Sequence, residues 1–181
     1  WIASPEGHIV TCNHVIEAVA DTKPDSKMGI ITADGRVYPI VEICVSDKLN
    51  DIAVVKVDVH GERLPFFRLA NDIKEGNAIS IISHPRSKLW FFSQGIVSNF
   101  SQSRREEGMF TQMDISCWFG PGSSGAPVLN QSGDVVGMAQ KTDVESEEVE
   151  MSLRLFGLKL WSKKNESRTA PITFYGCVPL S

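Results

Sequence analysis

The feature that most constrains this sequence is a regular succession of short apolar runs rich in valine and isoleucine. Clusters of turn-forming residues, such as Ala33-Asp34-Gly35 and Glu75-Gly76-Asn77, separate the runs. Many short strands at regular spacing can bury their apolar faces only against one another, so the pattern predicts an all-β sandwich or barrel. One short helix is predicted over 13–20, with Asn13 as its cap. The predicted strands are 8–11, 28–32, 37–45, 52–57, 78–82, 89–92, 95–99, 126–129 and 135–139.

Length and charge narrow the functional classes. The 181 residues suffice for one sizeable domain or for two small barrels that share a cleft. The net charge is −4, whereas nucleic-acid-binding domains carry an excess of basic residues, so we expect no nucleic-acid partner. The densest basic pair, Arg104-Arg105, is followed at once by two glutamates, and we interpret it as part of a solvated loop. No apolar run approaches the roughly 18 residues of a membrane span.

The four cysteines, Cys12, Cys44, Cys117 and Cys177, match no zinc-binding spacing. Four cysteines in a chain of this length do not indicate a disulfide scaffold. We therefore expect free thiols, no bound metal, and an intracellular reducing compartment or organelle rather than secretion.

A weakly periodic segment with a proline, 61–71, suggests a boundary between two halves near residue 71. The halves are then 1–71 and 72–181. The region 141–171 contains an acidic run and a polar run, so we expect a long and partly mobile insertion there. The chain opens as if in mid-strand and without methionine, so we expect an N-terminal piece to be missing.

The sequence Gly120-Pro121-Gly122-Ser123-Ser124-Gly125-Ala126-Pro127 is the most informative for chemistry. Glycines on both sides of a serine allow a sharp turn that brings backbone N–H groups together. Acyl transfer needs this arrangement, since the serine attacks and the N–H groups hold the developing oxyanion. Ser124 is the predicted nucleophile and Ser123 its rival. The N–H groups of Gly122, Ser123 and Ser124 are the predicted oxyanion donors.

A serine nucleophile needs a base, and the base needs a carboxylate that orients it. His14 stands where an apolar strand ends and the short helix begins, and Asp51 opens the apolar strand that starts at Ile52. The other histidines, His8, His60 and His84, lie in turns or at strand ends and are interpreted as structural or solvated. The order His, Asp, Ser lets the first half supply the base and its carboxylate and the second half the nucleophile.

Several blocks of this sequence resemble the trypsin-like peptidases, and within them the HtrA/Deg family. They are Gly7–Val15, which resembles a strand ending in T-x-N-H-V; Asp51–Val57, which resembles D-L-A-L-L-K-V; Ser83-His84-Pro85 with Gln94–Ser98; Gly122–Asn130, which resembles G-N-S-G-G-P-L-x-N; and Phe174–Pro179. The blocks occur in the family's order and span nearly the whole chain outside 141–171.

The resemblance implies a chymotrypsin-like fold of two packed six-stranded Greek-key β-barrels, with the N-terminal barrel incomplete. It implies a cofactor-free serine endopeptidase acting on polypeptides in quality control or regulated proteolysis, and a trimer or higher homo-oligomer. Trp118, Phe119 and Gly120 would then shape the substrate pocket. Two alternatives stay open: a catalytically weak peptide-binding or scaffold module, and a cysteine protease that uses Cys117.

Overall fold

The computed structural model describes residues 1–22, 28–145, 152–155, 158–162 and 172–179, with side chains in 1–20 and 28–140. The described chain is dominated by strands, which confirms the all-β prediction. The elements are β1 (His8–Thr11), α1 (Asn13–Thr22), β2 (Gly29–Ile31), β3 (Val37–Asp47), β4 (Ile52–Val57), β5 (Ala78–Ser83), a short 3₁₀ turn (Pro85–Ser87), β6 (Phe91–Arg105), β7 (Gly108–Ile115), β8 (Pro127–Leu129), β9 (Val135–Glu145), β10 (Ser152–Leu155), β11 (Leu158–Ser162) and β12 (Ile172–Pro179).

The first half forms an antiparallel four-stranded sheet in the order β1-β4-β3-β2. Its core follows from the alternation in β4, where Ala53, Val55 and Val57 point inward and are fully buried. Ile9, Ile16 and the other members of the cluster pack against them. Four described strands, rather than six, agree with an incomplete N-terminal barrel.

The second half is a closed barrel of six strands in the order β12-β7-β6-β5-β8-β9. Closure buries a continuous apolar interior that includes Ile81, Val97, Met113, Val128 and Val136. The sequence predicted two strands here, 89–92 and 95–99, where the structure has the single strand β6. In the structure a Cβ at Gly95 would lie 2.5 Å from Ser116 Oγ, so the glycine permits a close approach within one long strand.

The boundary near residue 71 and the insertion at 141–171 stay predictions. The segment between β4 and β5 contains only an isolated bridge, in which Leu69 pairs with Val135 of the second barrel. The predicted insertion contains the β10–β11 hairpin and the last part of β9. Its remaining residues lie outside the described chain.

The two halves meet along the end of β1. Val10 and Cys12 form a buried cluster with Met138 of β9. The thiol of Cys12 donates to the carbonyl of Ala139 at 3.4 Å, and the same carbonyl accepts the N–H of Gly125 at 2.8 Å. This junction brings the start of α1, from the first half, against the loop before β8, from the second.

Candidate active site

The loop before β8 presents Ser124 through two tight turns. The N–H of Ser123 donates to the carbonyl of Gly120 at 2.9 Å, and the N–H of Ala126 donates to the carbonyl of Ser123 at 3.0 Å. Gly122 and Gly125 have φ values of +95° and +85°, a region that favours glycine. A Cβ at Gly122 would lie 2.8 Å from the carbonyl oxygen of His84, and one at Gly125 would lie 2.7 Å from Thr11 Oγ1.

The structure brings the three predicted catalytic side chains together. His14 lies in the first turn of α1, and Asp51 is the last residue of the hairpin loop between β3 and β4. The Nδ1 of His14 lies 2.8 Å from Asp51 Oδ2, and its Nε2 lies 3.1 Å from Ser124 Oγ. The backbone N–H of His14 also donates to Asp51 Oδ1 at 2.9 Å, so both carboxylate oxygens bind the same residue.

The side chains of Asp51 and His14 differ in their exposure to solvent. The side chain of Asp51 is 15% exposed and that of His14 is 50% exposed. The carboxylate is therefore screened from water behind the imidazole, while the imidazole and the serine hydroxyl face the cleft. Such a chain of contacts can move a proton from Ser124 Oγ to His14 Nε2, with the charge on the imidazole facing the carboxylate.

Two of the three predicted oxyanion donors have no hydrogen-bond acceptor among the described residues. Within the residues that the structure describes, neither the N–H of Gly122 nor that of Ser124 donates to an acceptor. Ser123 differs, because its N–H binds Gly120 and its side chain is 2% exposed. Its hydroxyl lies 3.1 Å from Ser83 Oγ. These contacts favour Gly122 and Ser124 over Ser123 as the oxyanion donors, and Ser124 over Ser123 as the nucleophile.

A cavity of about 750 Å³ opens over these residues. Of the predicted pocket residues, Phe119 and Gly120 line it beside Ser124, whereas Trp118 does not and instead packs edge-on against Phe91, 5.0 Å between ring centroids. The residues that line the cavity are Asn13, His14, Glu17, Lys48, Asp51, Arg105, Glu106, Glu107, Phe119, Gly120, Pro121, Ser124 and Gln140.

The two buried cysteines that the structure describes lie in surroundings that disfavour the thiolate. Burial raises the pKa of the Cys12 thiol to about 12, and the negative charge of Asp51 adds to the effect. Cys12 and the His14–Asp51 pair are close enough to share a metal ion, but a thiol with this pKa is a poor ligand at neutral pH. Cys117 lies in the core of the second barrel, where burial also raises its pKa. Its burial and the raised pKa argue against Cys117 as a nucleophile.

The remaining histidines contact other residues. His8 Nδ1 lies 2.7 Å from Ser4 Oγ, and His60 lies 3.3 Å from the carboxylate of Asp58. His84 accepts the N–H of Trp90 at 3.0 Å. These contacts agree with the structural or solvated roles expected from the sequence.

Sequence reasoning missed two residues that contact the loop of Asp51. Arg105 donates to the carbonyl of Leu49, so its interpretation as part of a solvated loop is wrong. Gln140 donates to the carbonyls of Asn50 and Asp51. Both contacts join residues that are far apart in the chain, so no local sequence pattern predicts them.

Comparison with known proteins gives consistent matches. Residues 1–138 match the family model described as a trypsin-like peptidase domain. The chain is 31% identical over 142 residues to a probable periplasmic serine endoprotease DegP-like of Pseudomonas savastanoi pv. phaseolicola, covering 76% of this chain and 27% of the relative. It is 31% identical over 146 residues to the putative serine protease HhoB of Synechocystis, covering 76% and 32%. The chain thus spans about a third or less of these relatives.

Solved structures share the fold. The HtrA-type protease AlgW with decapeptide superposes with a TM-score of 0.71 at 21% identity, covering 99% of this chain and 46% of that one. Deg5 superposes with a TM-score of 0.63 at 24% identity, covering 78% and 72%.

The comparison corrects the expected compartment. The curated relatives include several periplasmic endoproteases, so the expectation of an intracellular reducing compartment or organelle is wrong. That expectation relied on unpaired cysteines. Cys12 and Cys117 are free because they are buried in separate apolar clusters, which gives no information on the redox state of a compartment. In the part of the chain that the structure describes, no helix has the length and apolar character needed to cross a membrane.

Proposed function

Because this chain belongs to the trypsin-like peptidase family, we propose that it is a serine endopeptidase that cleaves polypeptides through an acyl-enzyme on Ser124. The resemblance to HtrA/Deg proteases is confirmed by the relatives and structural neighbours. The observation that carries the proposal is the hydrogen-bonded series Asp51–His14–Ser124 beside two backbone N–H groups that bind no acceptor in the part of the chain that the structure describes.

In the proposed acylation step, Ser124 Oγ attacks the carbonyl carbon of the scissile peptide bond. Its proton passes to His14 Nε2, 3.1 Å away, while Asp51 Oδ2 stabilises the imidazolium through Nδ1–H. The N–H groups of Gly122 and Ser124 donate to the oxyanion that forms. His14 then protonates the leaving amine as the C–N bond breaks.

Deacylation repeats the sequence with water as the nucleophile. Neutral His14 accepts a proton from the water, and the new tetrahedral intermediate uses the same two N–H donors. Its collapse releases the carboxylic acid product and returns the proton to Ser124 Oγ. The chemistry needs no cofactor.

Phe119 and Gly120 line the cavity beside Ser124, and on this basis we assign them to the primary substrate pocket. Trp118 is assigned to its outer edge, since it is 43% exposed and packs on Phe91. The structural neighbour AlgW is described with a decapeptide, which supports a polypeptide substrate here. By analogy with the family we also propose a role in quality control or regulated proteolysis and a trimeric or higher assembly, testable by light scattering.

The alternative of a catalytically weak scaffold module is not favoured. A degraded site would lose a member of the triad or fill its oxyanion site with an internal acceptor. Here the three side chains are within hydrogen-bonding distance, and no described residue accepts from the N–H of Gly122 or of Ser124.

The test is covalent labelling of the purified protein with a fluorophosphonate, with the labelled residue identified by mass spectrometry. We expect labelling at Ser124, its loss in Ser124→Ala, and its retention in the neighbouring Ser123→Ala variant. Peptide cleavage should follow the same pattern. Cleavage retained by folded Ser124→Ala would refute the proposal, and so would a folded wild-type protein that neither labels nor cleaves.

A further inference from the structure

The loop that carries Asp51 is held by two side chains from the opposite barrel. Arg105, the last residue of β6, donates to the carbonyl of Leu49. The side-chain amide of Gln140, on β9, donates to the carbonyl of Asn50 and, at 3.3 Å, to that of Asp51. Three successive carbonyls of the loop are thus bound from the second barrel.

These two side chains, which we call the Arg105–Gln140 pair, also fix each other. Arg105 Nη2 donates to Gln140 Oε1 at 2.9 Å, and the guanidinium carbon lies 4.0 Å from the centroid of the Phe110 ring. Gln140 is 8% exposed. Because its oxygen accepts from Arg105, the NH₂ group of Gln140 must face the loop carbonyls, where both of its protons can be donated.

The loop needs this support because Asp51 adopts an unfavourable backbone conformation. Its φ is +52°, in the left-handed region, which aspartate adopts more readily than most residues but which is still less favourable than extended or right-handed helical backbone. Such conformations persist where the surroundings over-determine them, and they cluster at functional sites. Within the loop, Asp47 binds the N–H and the side-chain amide of Asn50 at 3.0 and 2.7 Å, which orders the middle of the loop rather than its last residue.

We propose that the Arg105–Gln140 pair are positioning residues that set the carboxylate of Asp51 against His14. Both carboxylate oxygens are used, one on the backbone N–H of His14 at 2.9 Å and one on Nδ1 at 2.8 Å, so a shift of the loop weakens both contacts. The inference rests on the proposed function. It makes the geometry of a first-barrel carboxylate depend on the β6–β7 hairpin of the second barrel.

A purely structural role for the pair, as a clamp between barrels, makes a different prediction. The barrels are already joined by the buried cluster of Val10, Cys12 and Met138 and by the Gly125–Ala139 hydrogen bond. A clamp would affect stability throughout the molecule. A positioning pair instead affects the placement of the Asp51 carboxylate and the catalytic rate that depends on it.

Two variants separate these roles. Gln140→Glu keeps the side-chain shape and the acceptor for Arg105 but turns an oxygen toward the loop carbonyls. Arg105→Met keeps an unbranched stem over Phe110 and removes every donor. Gln102→Glu and Arg104→Met are the matched controls, since they make the same charge changes at exposed positions of β6.

We expect each pair variant to lower kcat/KM by about 10- to 100-fold, with the loss in kcat and little change in KM. The reason is that a misplaced catalytic group slows the chemical step without weakening substrate binding. Both controls should stay within about twofold of wild type. In an Asp51→Ala background the pair variants should have little further effect, since the pair acts through that residue. A loss carried by KM, or one of equal size in the Asp51→Ala background, would overturn the proposal.

Amide hydrogen exchange tests positioning without relying on activity. The N–H groups of Asn13 and His14 donate to the carbonyl and the carboxylate of Asp51. In the pair variants their protection should fall about 10-fold, while amides of β8 keep theirs. Unchanged protection of His14 would refute the pair's role. A wild-type protein that does not label with fluorophosphonate would refute the proposed function instead, and exchange would still decide the role of the pair.

Discussion

The oxyanion site is open to a direct test by adding one methyl group at Gly122. An ideal Cβ at this position lies 2.8 Å from the carbonyl oxygen of His84, against 3.4 Å or more for an ordinary contact, so the two must separate by about 0.6 Å. The carbonyl cannot yield alone, because the N–H of Arg86 is bound to the carbonyl of Pro121 at 2.8 Å. The backbone of Gly122 therefore has to move.

That movement is large on the scale of the chemistry. Donors to an oxyanion act at about 2.7–3.1 Å, so a shift of this size removes the N–H of Gly122 from its acceptor. Loss of one such donor costs about 10²–10³ in kcat, or about 2.7–4 kcal/mol of transition-state stabilisation. Alanine at a φ of +95° also costs about 1–2 kcal/mol of folding stability.

Gly35→Ala is the matched control. Gly35 has a φ of +82° and no atom within 4 Å of an ideal Cβ, so it carries the same backbone strain without the clash. Steady-state cleavage of a peptide and thermal unfolding should be measured on both variants. We expect similar losses of stability but a large loss of kcat only in Gly122→Ala. If the kcat values of the two variants agree within about threefold, the assignment of the oxyanion site is refuted.

Three further predictions follow from the same structure. Asp51→Asn should lower kcat by about 10⁴-fold, because the amide favours the wrong tautomer of His14; steady-state kinetics would contradict this with a loss below about tenfold. The pKa of Cys12 is raised from 9.0 to about 12, so the folded state holds the proton longer than the unfolded state and stability falls as pH rises from about 9 to 12. Between pH 8 and 10.5 the free energy of unfolding, measured with urea, should fall more for wild type than for Cys12→Ala. Equal falls in the two proteins would contradict a raised pKa of Cys12. Gly95→Ala places a Cβ 2.5 Å from Ser116 Oγ and should destabilise the protein by about 1–3 kcal/mol, measured by urea unfolding; an unchanged midpoint would contradict the packing.

Local pattern predicted most of the strands. β1 and β4 have the predicted limits, and α1 begins at Asn13 as expected, extending to Thr22. The strands follow from alternation, which is a property of neighbouring residues. Asn13 does not act as the expected cap, because it is the first residue of α1 and its Oδ1 accepts from Ser46 Oγ at 2.6 Å. The prediction for β6 was wrong where it ended one strand at residue 92 and began another at Gly95, since Phe91–Arg105 forms one strand. The glycine allows a close approach to Ser116, which directly follows β7.

The predictions that depended on the surroundings of one residue could be refined only with the tertiary structure. Trp118 was expected to shape the pocket; it packs on Phe91 and is absent from the cavity lining, so we propose for it only the outer edge of the pocket. Ser123 was expected to donate to the oxyanion, but its N–H closes a turn. In both cases the residue type suits the expected role. The orientation of the Trp118 ring and of the Ser123 N–H is set by a tertiary or turn contact, which cannot be read from the spacing of residues in the sequence.

The sequence by itself determined the all-β class, the turn around Ser124 and the identity of the three residues that meet in the cleft. Tertiary structure alone decided how they meet. The contacts that set the site join His14 to Ser124 across 110 positions and Gln140 to Asn50 across 90, and they exist only once the two barrels pack. Asp51 takes its left-handed conformation within those contacts. Local propensity acts over a few residues, whereas the orientation of a carboxylate or an N–H group depends on every element packed around it.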